Sequence, residues 1–263
     1  MVGDDKEDRV LAERIKVQAR GLGCDLCGIA SIDRFRDMPD ISNPAKILPG
    51  AASVIVVAFR FLASSARAGS TVPYTIVRNS LSRKVDEATI GLSFFLEDLG
   101  YLALPTGAIE PCNYDGKLGK TMGLISLKNA ARQAGLGTVG TNTLLVTPQF
   151  GNMVWLGAVI TSAAPAADQP ISDNPCPPGC RICLDNCPAK ALDGGLFMDQ
   201  SRCWSFAFGS VDGGEWRIRC NRCRIICPLA FGYAGRGRAA RRLSKDGEIT
   251  GFLVERMSGK LNA

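Results

Sequence analysis

The sequence predicts an α+β protein in which a large α/β sandwich domain precedes a small cysteine-rich domain. Helical and strand patterns alternate from the N-terminus to about residue 163, which is typical of helices packed on a sheet. A segment rich in Pro, Ala and Asp follows, and eight of the eleven cysteines lie between Cys176 and Cys227. We therefore expect a first domain over 1–162, a linker over 163–175, a cysteine-rich domain over 176–235 and a basic tail over 236–263.

The periodicity of the apolar residues predicts the elements of the first domain. Val10, Leu11 and Ile15 recur at helical spacing, and a longer helical pattern ends at Gly100. The run 53–61 is short, β-branched and apolar, as expected for a strand that is covered on both faces. The expected helices cover 5–22, 75–100 and 125–134, and the expected strands cover 24–31, 53–61, 141–147 and 152–161.

Composition and charge narrow the class of protein. Hydrophobic residues make up 46% and charged residues 21%, which is typical of a folded protein. The first residues resemble no signal peptide, and no apolar run reaches the roughly 18 residues of a membrane span, so we expect a cytoplasmic protein without a membrane partner. The sequence contains no histidine, which excludes histidine bases, histidine triads and imidazole ligation of a metal.

The cysteines form two similar runs. The first is Cys176-x3-Cys180-x2-Cys183-x3-Cys187-Pro188. The second has Cys203 at a distance and then reads Cys220-x2-Cys223-x3-Cys227-Pro228. Two-cluster bacterial ferredoxins carry C-x2-C-x2-C-x3-C-P runs, in which the last cysteine of each run ligates the other cluster.

This spacing predicts two [4Fe–4S] clusters with crossed ligation. One cluster is expected on Cys176, Cys180, Cys183 and Cys227, and the other on Cys187, Cys203, Cys220 and Cys223. Their charge lowers the expected net charge from +6 to about +2, because ligation deprotonates the thiols. Two alternatives stay open: a zinc ribbon on the CxxC pairs, and clusters that only stabilise the fold.

Three stretches resemble the corrinoid-dependent iron–sulfur enzymes, namely the epoxyqueuosine reductases and the reductive dehalogenases. The stretch AGLGTVGTNTLLVTPQFGNMVWLGAVIT (134–161) is similar to the segment that lines the corrinoid pocket in both families. The stretches CRICLDNCPAKAL (180–192) with DQSRCWSF (199–206), and CNRCRIICPL (220–229), are similar to their cluster motifs. The resemblance runs from Leu22 to about Leu229, and because the sequence ends at 263 we expect a short form without the C-terminal tRNA-binding module.

The resemblance implies a nitroreductase-like sandwich that binds cobalamin or a related corrinoid, followed by a ferredoxin-like domain. Glycines without a Cβ allow a backbone to approach a flat macrocycle, although a packed helix-ending turn explains the same glycines. The implied corrinoid-binding residues are Gly135, Leu136, Gly137, Gly140, Thr141 and Asn142. Tyr74 and Arg78 are the candidate catalytic pair, and Glu110 and Asp115 are weaker candidate proton donors.

Other residues have two interpretations each. Cys24 and Cys27 form a CxxC, but on a strand residues three apart point to opposite faces, so buried packing is favoured over a disulfide. Cys112 is a lone thiol beside Pro111. The arginines around the second run either offset the charge of a cluster or form a docking surface for an acidic partner. They are Arg217, Arg219, Arg222, Arg224 and the arginines of 236–242.

Taken together, these features predict an oxidoreductase that passes low-potential electrons through two clusters to a corrinoid. The expected partners are a low-potential electron donor and a separate corrinoid protein. Because a short form without the tRNA-binding module is expected, tRNA is not an expected partner. Three functions remain as alternatives. They are a reductase with its own corrinoid, an electron-transfer activator of a corrinoid methyltransferase, and a truncated epoxyqueuosine reductase.

Overall fold

A computed structural model provides the fold. It describes residues 2–109, 112–115, 120–172, 174–195, 197–210 and 216–233. The helices are α1 (Val2–Gly21), α2 (Pro44–Ile47), α3 (Ala63–Arg67), α4 (Val72–Asp98), α5 (Leu127–Gln133), α6 (Ile182–Asp185), α7 (Gln200–Ala207) and α8 (Arg222–Ile225). The strands are β1 (Leu26–Ser31), β2 (Ser53–Arg60), β3 (Ala103–Thr106), β4 (Asn113–Asp115), β5 (Lys120–Met122), β6 (Thr138–Val139), β7 (Leu145–Val146), β8 (Val154–Thr161), β9 (Phe208–Ser210) and β10 (Trp216–Ile218).

A four-stranded antiparallel sheet forms the centre of the fold, in the order β1-β2-β8-β3. Alternate residues of β2 point to opposite faces, so Ile55 and Val57 pack toward α1 and α4, while Val54 and Val56 pack toward α5. Both faces are therefore covered, as the apolar run 53–61 predicts. The α+β class is confirmed.

Element boundaries differ from the expected ones where turns intervene. The strand expected at 24 begins at Leu26, because Gly23 (φ +84°) and Cys24 donate backbone hydrogen bonds that end α1. The strand expected over 141–147 shortens to β7, which pairs with β6 and not with β8. The cause is a tight turn in which Thr143 takes φ +60° and donates its N–H to the Gly140 carbonyl at 2.8 Å.

The cysteine-rich segment shares a core with the sheet. Ile218 and Ala230 are buried in the same apolar cluster as α1 and α4, and the Ile218 N–H donates to the Thr75 hydroxyl at 3.1 Å. The expected linker over 163–175 also bonds to the first domain. The Asp168 carboxylate accepts from the Ile29 N–H at 2.9 Å and pairs with the Lys16 ammonium at 2.7 Å. The two segments therefore pack as one continuous body.

Two further expectations concern the membrane and the tail. Across the part of the chain that the structure describes, no helix combines the length and the hydropathy that a membrane span requires. The basic tail over 236–263 lies outside the described residues, as does Glu110. Asp115 lies on β4.

Candidate metal centre

The first group of thiols lies around one small cavity. Its walls include Cys176, Cys180, Cys183 and Cys227, which are the four cysteines that the crossed pattern assigns to one cluster. Burial raises the pKa of the Cys227 thiol to about 11, and the charges of the other three thiols add to the rise. A cysteine 44 positions after Cys183 in the sequence is thus a neighbour of the first run.

The second group consists of Cys187, Cys203, Cys220 and Cys223. Burial, together with charge repulsion from the other three thiols, raises the pKa of Cys223 to about 12, against the opposing effect of Arg224. The pKa of Cys203 is raised by burial and then by Cys220 and Cys187. Each thiol of this group therefore lies within electrostatic reach of the others.

Short helices position both groups. Helices α6 and α8 each form a single turn, contain Cys183 and Cys223 respectively, and pack against each other. Gly179 (φ +72°) lies in the turn before Cys180, whose N–H donates to the Pro177 carbonyl at 3.0 Å. Among the described residues, no three cysteine or carboxylate side chains converge closely enough to hold a single metal ion.

The glycine-rich turn after α5 contacts both groups of thiols. The Thr141 N–H donates to the Cys176 sulfur at 3.4 Å. The Asn142 side-chain amide donates to the Cys223 carbonyl oxygen at 3.1 Å, while its Oδ1 accepts from the Leu144 N–H at 3.2 Å. The predicted cofactor-binding residues Thr141 and Asn142 therefore lie between the two groups of cysteines.

The glycines of this turn face the protein itself. A Cβ on Gly135 (φ +71°) would come within 2.4 Å of the Gln169 carbonyl oxygen, and one on Gly137 within 2.3 Å of the Val146 carbonyl oxygen. A Cβ on Gly140 would lie 3.1 Å from the Asn142 side chain and 3.4 Å from the Cys176 sulfur. Leu136 is buried. The chain fills the space that each of these Cβ atoms would occupy, which fits the packed-turn interpretation.

The predicted catalytic pair lies near the second group of thiols. Tyr74 is buried on α4, stacks on Phe61 with ring centroids 5.1 Å apart, and interacts with the Arg224 side chain. Burial raises the pKa of Tyr74 and keeps its hydroxyl protonated. Arg78, one turn further along α4, places its guanidinium 5.5 Å from the centre of the Trp155 ring.

The sequence analysis names Arg224 among the arginines around the second run, but it does not predict that Arg224 is buried or that Lys128 lies near it. Arg224 is the only one of the four described candidate arginines that is buried. The signal was available in part, because Arg224 is the only polar residue between Cys223 and Cys227. Its partners on β8 lie about 70 residues earlier, and no local pattern indicates them.

The remaining cysteines lie apart from the two groups. Cys24 is buried and Cys27 is half-buried, and burial raises the pKa of each thiol to about 12. Both are free thiols, in agreement with packing and not with a disulfide. Cys112 is exposed.

Comparisons with known proteins show what this chain is similar to. No protein-family profile matches the chain. The epoxyqueuosine reductase of Bacillus cereus is 28% identical over 258 residues, which cover 83% of this chain and 64% of that enzyme. The epoxyqueuosine reductase of Lactococcus garvieae is 34% identical over 162 residues, which cover 58% of this chain and 41% of that enzyme.

Solved structures of two groups of reductases have a fold similar to that of this chain. An epoxyqueuosine reductase bound to an epoxyqueuosine-modified tRNA-Tyr stem loop matches with a TM-score of 0.59 at 22% identity, covering 85% of this chain and 66% of that one. A reductive dehalogenase matches with a TM-score of 0.62 at 19% identity, covering 93% of this chain and 35% of that one.

The chain therefore has the fold that is common to these two groups of reductases. By sequence it is similar to the epoxyqueuosine reductases, and the resemblance predicted from the sequence is confirmed. The chain spans somewhat under two thirds of the length of the Bacillus cereus relative.

Proposed function

We propose that this chain is an iron–sulfur oxidoreductase that passes low-potential electrons through two [4Fe–4S] clusters to a corrinoid, either its own or that of a partner. The observation that carries the proposal is the grouping of eight cysteines into two sets of four, each set completed by a cysteine from the other run. This grouping supports the crossed ligation that the spacing predicts.

The residues around the thiols suit bound clusters. Burial raises the pKa values of Cys223 and Cys227, so each thiol stays protonated at neutral pH unless a metal replaces its proton. The Thr141 N–H and the Ala191 N–H donate to the sulfurs of Cys176 and Cys187 at 3.4 and 3.3 Å. Hydrogen bonds of this kind stabilise a reduced cluster and raise its potential.

An exposed aromatic surface beside the second group suits docking of the electron donor. Trp204, Phe206 and Trp216 are exposed, and Phe208 contacts both tryptophan rings. Cys203 precedes Trp204 on α7, and exposed Arg219 donates to the Ser205 carbonyl oxygen. An acidic ferredoxin would bind this combination of apolar and basic groups close to a cluster ligand.

The corrinoid part of the proposal rests on the comparisons. One matching structure is that of a reductive dehalogenase linked to B12-dependent dehalogenation. A corrinoid supplies the low-potential cobalt chemistry of such reactions. Tyr74 remains the candidate catalytic residue, because its protonated hydroxyl lies near the second group of thiols and beside Arg224.

Two alternative functions each have one supporting observation. The filled space at Gly135 and Gly137 favours an electron-transfer activator whose corrinoid resides on a partner methyltransferase. The names of the relatives, and the tRNA stem loop in one of their structures, favour an epoxyqueuosine reductase. The comparisons do not support the expectation that tRNA is absent, and tRNA stays a candidate partner.

Anaerobic purification with analysis of iron, sulfide, zinc and cobalt tests the proposal. We expect about eight iron and eight sulfide per chain, two reducible clusters and no stoichiometric zinc. Zinc in place of iron, or iron for a single cluster, would refute it. Visible spectra with added cobalamin, reduction of a corrinoid protein, and binding of a tRNA stem loop then separate the three functions.

The donor surface has its own test. Trp216→Ala and Arg219→Glu should each slow reduction of the clusters by a reduced acidic ferredoxin, while leaving reduction by dithionite unchanged. Phe94→Ala removes a similarly exposed aromatic side chain from α4 and serves as the control. Equal rates in all three variants would remove this surface from the proposal.

A further inference from the structure

Arg224 is a buried cation next to a predicted cluster ligand. Only 7% of the residue is exposed, although it directly follows Cys223 on α8. Its Nη1 donates to the carbonyl oxygens of Asn152 and Val154 at the start of β8. Its guanidinium lies 5.1 Å from the centre of the Phe61 ring and 5.9 Å from that of Trp155.

No carboxylate among the described residues pairs with this charge. The ion pairs observed among the described residues involve other side chains, such as Lys16 with Asp168 and Arg60 with Asp25, and none includes Arg224. A buried charge is costly unless an opposite charge or a complete set of hydrogen bonds compensates it. Two carbonyl oxygens, two aromatic faces and the Tyr74 hydroxyl are all uncharged, so they do not neutralise the charge of the guanidinium.

A second buried cation, Lys128, lies near Arg224. The Lys128 ammonium donates to the Thr143 carbonyl oxygen, and burial lowers its pKa, with repulsion from Arg224 adding to the effect. The Cys223 thiol acts in the opposite direction on Lys128, because a thiolate there attracts both cations. The two cations therefore face the second group of thiols.

We propose that Arg224, assisted by Lys128, is the internal counter-ion of the second cluster and sets its reduction potential above that of the first. This inference rests on the proposed two-cluster function. A cube held by four thiolates has a net charge of about −2 when oxidised and about −3 after it accepts one electron, with no proton taken up. A fixed buried cation stabilises the more negative state, so the second cluster accepts the electron more readily.

The first group lacks a cation at the equivalent position. Leu184, the residue after the third cysteine of the first run, matches Arg224 and is buried but uncharged. Arg181, elsewhere in the first run, is exposed and pairs with the Asp185 carboxylate at 3.4 Å, so its charge is screened by solvent and offset by a neighbour. This difference between Leu184 and Arg224 is the physical basis of unequal potentials.

A redox titration of the anaerobic holoprotein, followed by EPR, tests the inference. Arg224→Gln should shift the one-electron equilibrium of one cluster toward its oxidised state by about tenfold or more, which is a drop of about 59 mV per tenfold. The wave of the other cluster should not move. Arg181→Gln removes the same charge from an exposed position in the first run, and neither wave should move.

Two more variants separate charge from structure. Arg224→Lys keeps the positive charge but loses the guanidinium that bonds to the carbonyl oxygens of Asn152 and Val154. The reduction wave of the second cluster should therefore stay near its wild-type potential. Lys128→Gln should lower the same wave as Arg224→Gln, and it replaces that variant if Arg224→Gln does not fold. Equal shifts in Arg224→Lys and Arg224→Gln, or no shift in Lys128→Gln, would overturn the inference. A wild-type protein without two clusters would refute the proposed function instead.

Discussion

Asn142 donates a hydrogen bond from its side-chain amide to the backbone carbonyl oxygen of Cys223, across 81 positions of sequence. Its neighbour Thr141 donates to the sulfur of Cys176. The turn between β6 and β7 thereby contacts both groups of thiols. The positions of the two groups therefore depend on the two-stranded sheet that β6 and β7 form.

Asn142→Asp tests this contact. The carboxylate can still accept from the Leu144 N–H, but it cannot donate to the Cys223 carbonyl and faces it as a second acceptor. We expect a loss of about 1–3 kcal/mol in stability and faster release of iron to a chelator. Asn186→Asp is the matched control, because the Asn186 amide donates to the Ile182 carbonyl at an exposed position. Similar iron release from the two variants would contradict the prediction.

Cysteine substitutions test the crossed grouping. Cys227→Ser should lose the same cluster as Cys180→Ser, with iron falling from about eight to about four atoms per chain and the same EPR signal remaining. Cys187→Ser should lose the other cluster, although Cys187 lies only four residues from Cys183. Exposed Cys112 is the control, and Cys112→Ser should keep all its iron. Uncrossed ligation would instead give Cys187→Ser and Cys180→Ser the same remaining signal.

The turn after α5 can be tested through Gly137→Ala. The added Cβ would meet the Val146 carbonyl oxygen at 2.3 Å, so we expect a loss of about 1–3 kcal/mol in stability, measured as a lower Tm under anaerobic conditions. Gly21→Ala, which adds a Cβ into open space at the end of α1, should leave Tm unchanged or slightly higher. A Gly137→Ala protein with normal Tm that fails only in cobalamin binding would restore the macrocycle interpretation.

The thiols outside the two groups should differ in reactivity with pH. Burial raises the pKa of Cys24 and Cys27 to about 12, so both remain protonated, and therefore unreactive, at every pH well below that value. At pH 8 iodoacetamide should modify Cys112 in the holoprotein and neither of the other two, as mass spectrometry would show. Rapid labelling of Cys27 in intact holoprotein would disprove the burial described for β1.

The sequence predicted the features that depend on short-range patterns. The apolar run of β2 and the spacing of the cysteines could be recognised, because side-chain alternation and ligand spacing are local properties. The positions of Asn142 and Arg224 could not, because their partners lie on distant segments that only the folded chain brings together. The contact between Gly137 and the Val146 carbonyl oxygen could not be predicted either, because a missing Cβ shows the need for space and does not show what fills it.

The grouping of Cys227 with the first run affects how the protein matures. The first set of thiols lacks a member until synthesis reaches Cys227, and the second lacks one until Cys223. With the proposed ligation, neither cube would receive its full set of ligands on a ribosome-bound chain shorter than this. Iron and sulfide delivery would then follow translation of nearly all the described residues, with the sheet already available as a template.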